Sequence, residues 1–417
     1  MATAQLATFL IAGSAVFGVI ARPWNVPEAV WAMLGAGAAV GFSLIPWPDA
    51  LAAVGDGADV YLFLTGMMLL AELARREGLF AWTAAIATRS ARGSPRRLFL
   101  LIYAVGTVVT VFLSNDATAV VLTPAVYAAA RDAGAPALPY LFICAFIANA
   151  ASFVLPISNP ANLVLYGAAM PPLAAWLAQF AAASAAAIVA TYAVLRFTQR
   201  AHLREPIAAD VPVPRLAAGG RVAAGAIAAT ALLLSLASAF DRPLGLPTFL
   251  AGAGAWIAIL AVRRRAPWGA LRDVSWSVLP LVAALFILVR AIEITGALGP
   301  AVHSLAAQAR APSAPFAAAA GAGAAVASNL VNNLPLGLIA SHFVHATHAS
   351  PRLAGALLIG VDLGPNLSVT GSLATILWLL ALRREGLEVG AWRFLRLDLV
   401  AMPVPLAAAL GLFLMRA

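Results

Sequence analysis

The sequence predicts an all-α polytopic membrane protein of inverted-topology repeats, with about ten crossings plus two re-entrant hairpins with discontinuous helices. Three observations carry that expectation: a composition unsuited to water, a series of apolar runs of membrane length, and one order of polar interruptions that occurs twice. Of the 417 residues, 63% are hydrophobic and 10% charged, and the mean hydropathy is +0.92. A soluble domain is about half apolar and about a quarter charged. That contrast excludes a soluble enzyme, a disordered tail and a coiled coil. The single cysteine, Cys144, excludes a disulfide framework and a CxxC metal or redox site. All 26 basic residues are arginine, and the formal net charge is +9. In a soluble protein that balance would suggest nucleic acid. Here the arginines gather in short loops between apolar runs, the pattern that orients a membrane protein. No basic stretch precedes the first apolar run, so it reads as a span and not as a cleaved leader.

A helix needs about 20 apolar residues to cross the hydrocarbon. Runs of that kind fall at 4–21, 28–46 and 58–75, followed by 98–130, broken at 114–116, 137–168, broken at 156–160, and 173–197. A polar stretch, 198–220, reads as a cytoplasmic linker between a first repeat, 1–197, and a second, 221–417. The second repeat runs 221–240, 246–262 and 275–295, then 313–346, broken at 331–333, 351–380, broken at 363–366, and 397–415. Each half thus has three plain spans, two broken segments and one more plain span. Gly78 and Gly296 are 218 residues apart, and Asn115 and Asn332 are 217 apart. With the N-terminus outside and the first broken segment of each half a hairpin, the loops near 22, 75–97, 131, 196–221, 263–272 and 383–396 lie in the cytoplasm. Those loops hold 21 of the 26 arginines. Five crossings in the first half make the second half begin on the opposite face, hence inverted repeats.

Non-helical backbone at membrane depth survives only where protein or a water-filled cavity surrounds it. Half-helix N-termini there present free N–H groups and a partial positive end. The four breaks are therefore expected to meet around a substrate site. The first carries Ser114, Asn115, Asp116 and Thr118; the second Ser158, Asn159 and Asn162 among two prolines; the third Asn332 and Asn333; the fourth Asp362, Gly364, Asn366 and Ser368. Pro160 removes a backbone donor and biases Asn159 away from the helix. Ionisable groups deep in a span usually mark ion pathways, so Asp116 and Asp362 are the candidate proton-coupling residues. Capping of a neighbouring helix is the plainer role for either acid. The third break has no carboxylate where its partner has Asp116. His342, His345 and His348 read as interfacial polarity and not as a metal site. Glu72 with Arg75 or Arg76, and Arg290 with Glu293, have the spacing of helix-surface ion pairs. No Walker A, H-E-x-x-H or G-x-S-x-G motif occurs, so no ATP hydrolysis, enzymatic activity or cofactor is expected.

At the breaks the chain resembles the arsenite efflux permease family (ArsB) of the ion-transporter superfamily. The carrying residues are SNDATAVVLTP (114–124), FIANAASFVLPISNPANLVLYG (146–167), SNLVNNLPLGLI (328–339) and GPNLSVTGSLATILWLL (364–380). The resemblance implies export of arsenite and antimonite as neutral trihydroxides in exchange for protons, across a bacterial cytoplasmic membrane. It implies a scaffold of plain spans and a transport domain of hairpins and broken helices that moves like an elevator. Some members associate with a soluble ATPase. Carried over, Asn115, Asp116, Ser158, Asn159, Asn332, Asn333 and Asn366 would line the pocket. Members often carry an acid where this chain has Asn149. The chemistry fits independently. A neutral trihydroxide offers hydroxyls that Asn amides, Ser hydroxyls and helix-end N–H groups can match, and cargo must bind weakly enough to leave. A dicarboxylate would want cations, and no arginine stands at any break. Lipid is the other expected contact, and nucleic acid is not a partner. A sodium–proton antiporter and a channel-like subunit driven by an ATPase remain alternatives.

Overall fold

Helix follows wherever the apolar runs are long, because a backbone removed from water must pair its own N–H and C=O groups. The structure is a computed structural model, and it describes residues 2–263, 268–296 and 298–416. Residues 264–267 of the arginine-bearing loop expected at 263–272 lie outside the described residues. Among the described residues all regular structure is helical, and the chain is an all-α polytopic membrane protein.

In the first half the helices are Ala2–Ala21, Glu28–Gly41, the bent pair Trp47–Asp56 and Ala58–Arg76, Leu79–Ser90 and Pro95–Phe112. A helix with a π turn at Thr118–Leu122 then runs to Asp132, followed by Ala137–Ala150, Pro160–Tyr166 and Leu173–Thr198. The second half answers element for element. It has Ala218–Ala239, Gly245–Arg263, Trp268–Asp273 with Val278–Ile294, Gly299–Arg310, Ala314–Val331, Asn333–Thr347, Pro351–Leu363, Leu373–Arg384 and Ala391–Ala401 with Pro403–Leu414. Gly78 (φ 75°) and Gly296 (φ 67°) both turn the chain in the left-handed region, after Ala58–Arg76 and Val278–Ile294 respectively.

Four short helices differ from the expectation. Leu79–Ser90, Trp268–Asp273 and Gly299–Arg310 occupy stretches read as loop, and Trp47–Asp56 precedes the span expected at 58–75. Each is too short for a span. Leu79–Ser90 buries Phe80, Ala84, Ala87 and Thr88 on one face while Arg89 stays out. A criterion built on continuous apolar length cannot register such amphipathic helices. The fourth break also sits later than 363–366. Those residues are still helical or 3₁₀, and the chain becomes extended at Ser368 (φ −147°) and Ser372 (φ −140°).

Among the described residues six helices are long and apolar enough to cross a membrane, seven if Trp47–Asp56 and Ala58–Arg76, bent by 47°, form one span. Glu28–Gly41, Ala137–Ala150 and two others are apolar but shorter. The halves interlock by exchanging partners: Ala58–Arg76 packs on Gly245–Arg263, and Val278–Ile294 packs on Glu28–Gly41. Small residues permit the closest crossings. A Cβ on Gly66 would stand 2.3 Å from the Thr248 carbonyl, and one on Gly360 would stand 2.1 Å from the Gly321 carbonyl.

Hydrogen bonds sort the loops into two ends. Ile207 and Ala208 donate from their backbone N–H groups to the carbonyls of Gly93 and Ala133, and Arg76 donates to the Gly269 carbonyl. At the other end Gln5 donates to the Thr295 carbonyl, Gly245 to Asp59, Gln179 to the Pro351 carbonyl and Ser350 to the Ala309 carbonyl. The first end carries the arginine-rich loops.

Candidate functional site

Each of the four interruptions ends in a helix start capped by a Ser or Asn side chain, which satisfies one of the otherwise free N–H groups. Ser114 Oγ accepts from Ala117 N at 3.2 Å, Asn159 Oδ1 from Ala161 N at 3.0 Å, Asn332 Oδ1 from Leu334 N at 3.3 Å and Ser372 Oγ from Thr375 N at 3.2 Å. The polar residues that stop the apolar runs are therefore the ones that restart the helices.

The interruptions meet in a chain of contacts. Ser158 Oγ donates to the Val111 carbonyl at 2.9 Å, tying the second break to the first hairpin. Asn333 N donates to the Gly371 carbonyl at 3.0 Å, Asn332 Nδ2 to the Thr370 carbonyl at 3.3 Å, and Ser368 Oγ to Asn329 Oδ1 at 2.7 Å, tying the third break to the fourth. Two bonds then cross between the broken helices. Asn159 Nδ2 donates to Asp362 Oδ1 at 2.8 Å, and Asn149 Nδ2 donates to Asn366 Oδ1 at 2.9 Å. They are reciprocal. Asn149 and Asp362 each end the first part of a broken helix, and each faces an Asn of the other half.

The candidate residues divide by surroundings. Asp116 is only partly buried, its carboxylate accepts no bond among the described residues, and Ser114 rather than Asp116 caps the helix. Asp116 and Ser114 border a cavity of about 620 Å³, with Met67 and Met68 of Ala58–Arg76, Val278, and Leu377 beyond the fourth break. Glu72, Arg75, Arg272 and Arg384 stand at its arginine-rich end. Asn115, Thr118, Ser158, Asn162, Asn332, Asn333, Gly364 and Asn366 are buried. Thr118 Oγ1 bonds Thr110 Oγ1 at 2.8 Å, and Asn162 Nδ2 donates to the Ser152 carbonyl at 2.9 Å. Asp362 is fully buried and bonds across to Asn159 rather than capping its own turn. The sequence reading missed Asn329 and Asn149 as ties, although both lie in the quoted motifs. No group of three or more His, Cys, Asp or Glu suited to a metal occurs among the described residues.

A buried polar knot joining four discontinuous helices is the architecture of a transporter, and comparison with known proteins says which kind. Residues 15–381 match the model of the citrate transporter family, CitMHS. The chain belongs to that family. The transporter is 27% identical to the arsenical pump membrane protein of Escherichia coli over 365 residues, 81% of this chain and 82% of the relative. It is 28% identical to that of E. coli strain K12 over 368 residues, with the same coverage. An uncharacterized transporter of Mycobacterium tuberculosis is 25% identical over 92% of each chain. Among solved structures the YdaH transporter of Alcanivorax borkumensis matches with a TM-score of 0.55 at 17% identity, covering 88% of this chain and 86% of that one. That last likeness is one of fold. This CitMHS protein is a polytopic membrane transporter and not an enzyme.

Proposed function

We propose that the transporter exports arsenite and antimonite as neutral trihydroxides in exchange for protons. The observation that carries this reading is Asp116, an unbonded carboxylate at a hairpin tip, facing a cavity between hairpin and plain spans. Asp116 takes up the coupling proton, with Asp362 as a second acid on the crossing between broken helices. Ser114, Asn115, Thr118, Ser158, Asn159, Asn162, Asn332, Asn333, Gly364, Asn366 and Ser368 form the polar surround of the cargo. The arsenical pump relatives support the cargo, and the lack of any arginine at the breaks disfavours a citrate-like anion.

The halves 1–197 and 221–417, joined by a cytoplasmic linker, form an inverted duplication. Gln5 lies at one end beside Thr295, whereas Gly219, in the linker just before the second half, lies beside Glu77 at the other. The arginine-rich end faces the cytoplasm and the N-terminus faces out. The hairpins and broken helices move as one body against Ala58–Arg76 and Val278–Ile294, elevator-like. A soluble ATPase is not needed for this cycle.

Everted vesicles test the reading. An imposed proton gradient should drive arsenite accumulation, and Asp116→Asn should reduce it about a hundredfold at equal protein level, the lower range for a proton-transfer group. Gradient quenching by sodium or citrate, indifferent to arsenite, would overturn it.

A further inference from the structure

Two ion-pair groups sit at opposite ends of Ala58–Arg76 and Val278–Ile294, and their aspartates hold matching places in the two halves. Asp56 and Asp273 are 217 residues apart, the interval that separates Asn115 from Asn332. Each aspartate closes on arginine from the other half: Asp273 Oδ2 accepts from Arg76 Nη2 at 2.6 Å, and Asp56 Oδ2 from Arg290 Nη2 at 2.8 Å. At the arginine-rich end Glu72 completes the group, 2.6 Å from Arg75 and 2.7 Å from Arg76. Two carboxylates face two guanidiniums there, and the group neutralises itself.

The other end has one cation fewer among the described residues. There Arg290 alone pairs with both Asp56 and Glu293, the latter at 3.2 Å, which leaves one negative charge of the group unmatched. His342 supplies the remaining contact, its Nδ1 3.0 Å from Glu293 Oε1. It comes from the second hairpin, Asn333–Thr347, whereas Asp56 ends Trp47–Asp56 and Arg290 and Glu293 belong to Val278–Ile294. The contact lies on the wall of a cavity of about 710 Å³, with side-chain exposures of 29% for His342 and 18% for Glu293.

We propose that His342 and Glu293 form the station at which a proton from the outer side is taken up, and that the proton fastens the second hairpin to Val278–Ile294. This rests on the proton-coupled reading above. Histidine changes charge between about pH 5 and 8. As a cation it completes the charge of the outer group and donates to Glu293 as an ion pair. As a neutral ring it leaves the group one charge short, and the hairpin loses its charged hold. The cavity also presents Asp59, Asp241, Arg242 and His345. Asp59 Oδ1 accepts from Gly245 N at 2.8 Å, and His345 Nδ1 lies 2.7 Å from the Ser341 carbonyl. Of the helices packed on Asn333–Thr347, Gly299–Arg310 carries His303 and Arg310, Pro160–Tyr166 the Tyr166 phenol, and Pro351–Leu363 Arg352 and Asp362. Arg310 donates from Nε to the Thr347 carbonyl at 3.1 Å.

Val289 lines the same cavity, one turn before Glu293, and is 6% exposed. In right-side-out Val289→Cys vesicles a charged, membrane-impermeant maleimide reports whether the hairpin has left that helix; Cys144, the native thiol, is fully buried. The labelling rate is divided by that of Val289→Cys/His342→Gln at the same pH, which cancels thiol ionisation. The ratio should lie near one at pH 8.5 and fall about fivefold at pH 5.5, the scale of a partly exposed ion pair. Glu293→Gln should flatten it, and His342→Arg, charged throughout, should hold labelling low even at pH 8.5. A ratio independent of pH, or His342→Arg labelling that matches His342→Gln, would overturn the station. Arsenite flux is measured in everted vesicles of the same variants. Flux lost with the pH-dependent ratio intact overturns the cargo reading alone.

Discussion

Asp116 and Asp362 show how position within one knot separates two acids that are both spaced as membrane-depth residues. The competing role for Asp116, a helix cap, is filled by Ser114, and its carboxylate turns to a cavity. Asp362 is held by Asn159 and has no exposed surface. Asp362→Ala leaves the Asn159 amide unsatisfied in a buried site, at a cost of about 1–3 kcal/mol. Asp362→Asn keeps an acceptor and should cost less. Thermal unfolding of the detergent-solubilised transporter checks this: the Ala variant should melt clearly below the Asn variant, and equal melting would remove the cross-helix bond from the stability account. The presence of both acids was legible from their apolar flanks. Which oxygen found which partner was not, because Asn159 and Asp362 are 203 residues apart and each would bond its own turn equally well.

At the scale of the element, helix starts follow from short-range chemistry. Pro160, Asn159, Ser114 and Ser372 stop and cap helices through residues at most three positions away, so these breaks are readable along the chain. Asn332 is more demanding. Its φ of 71° and ψ of 152° place a non-glycine residue in strained backbone while its side chain caps the next helix and reaches Thr370. Strain of this sort costs about 1–3 kcal/mol and persists only where the surroundings hold it. Asn332→Ala retains the strain and loses the cap, so it should destabilise by about 1–2 kcal/mol. Asn332→Gly relieves the strain and should be milder. Melting temperatures of the two variants decide it; an Ala variant as stable as the Gly variant would contradict the capping argument. The helix Leu79–Ser90 was not legible as an element. Its apolar face covers only half its circumference, and what makes the face worth burying is the helix Thr123–Asp132 packed against it.

For the whole molecule, interlocking halves have a mechanical consequence. The contacts of Ala58–Arg76 with Gly245–Arg263, Glu28–Gly41 with Val278–Ile294, and Leu173–Thr198 with Pro403–Leu414 all cross between halves. A cut between Glu205 and Pro206, both exposed, interrupts none of them. Residues 1–205 and 206–417 expressed as separate chains should therefore co-purify through a tag on either one. Recovery of the tagged half alone would mean the linker, rather than packing, joins the repeats. Close crossings predict the opposite sensitivity. Gly66→Val places branched carbons on the Thr248 carbonyl, 2.3 Å from the Cβ position, and overpacking of this kind costs about 1–3 kcal/mol or more. Its melting temperature should fall below that of Gly37→Val, where a Cβ meets nothing within 4 Å. Equal values would show that the crossing has room to open.

Composition and local patterning alone determined the environment, the helical class and the presence of four interruptions. Those properties depend on residues close in sequence, where hydrophobic length, proline and capping side chains act directly on the backbone. The tertiary structure decided the rest. It set which breaks touch, which acid faces a cavity, and how an aspartate of one half reaches an arginine of the other. Those outcomes rest on pairs about 200 residues apart, such as Asp273 with Arg76 and Asn366 with Asn149. The same side chains could be satisfied in several places, and only the packing of the whole chain selects among them.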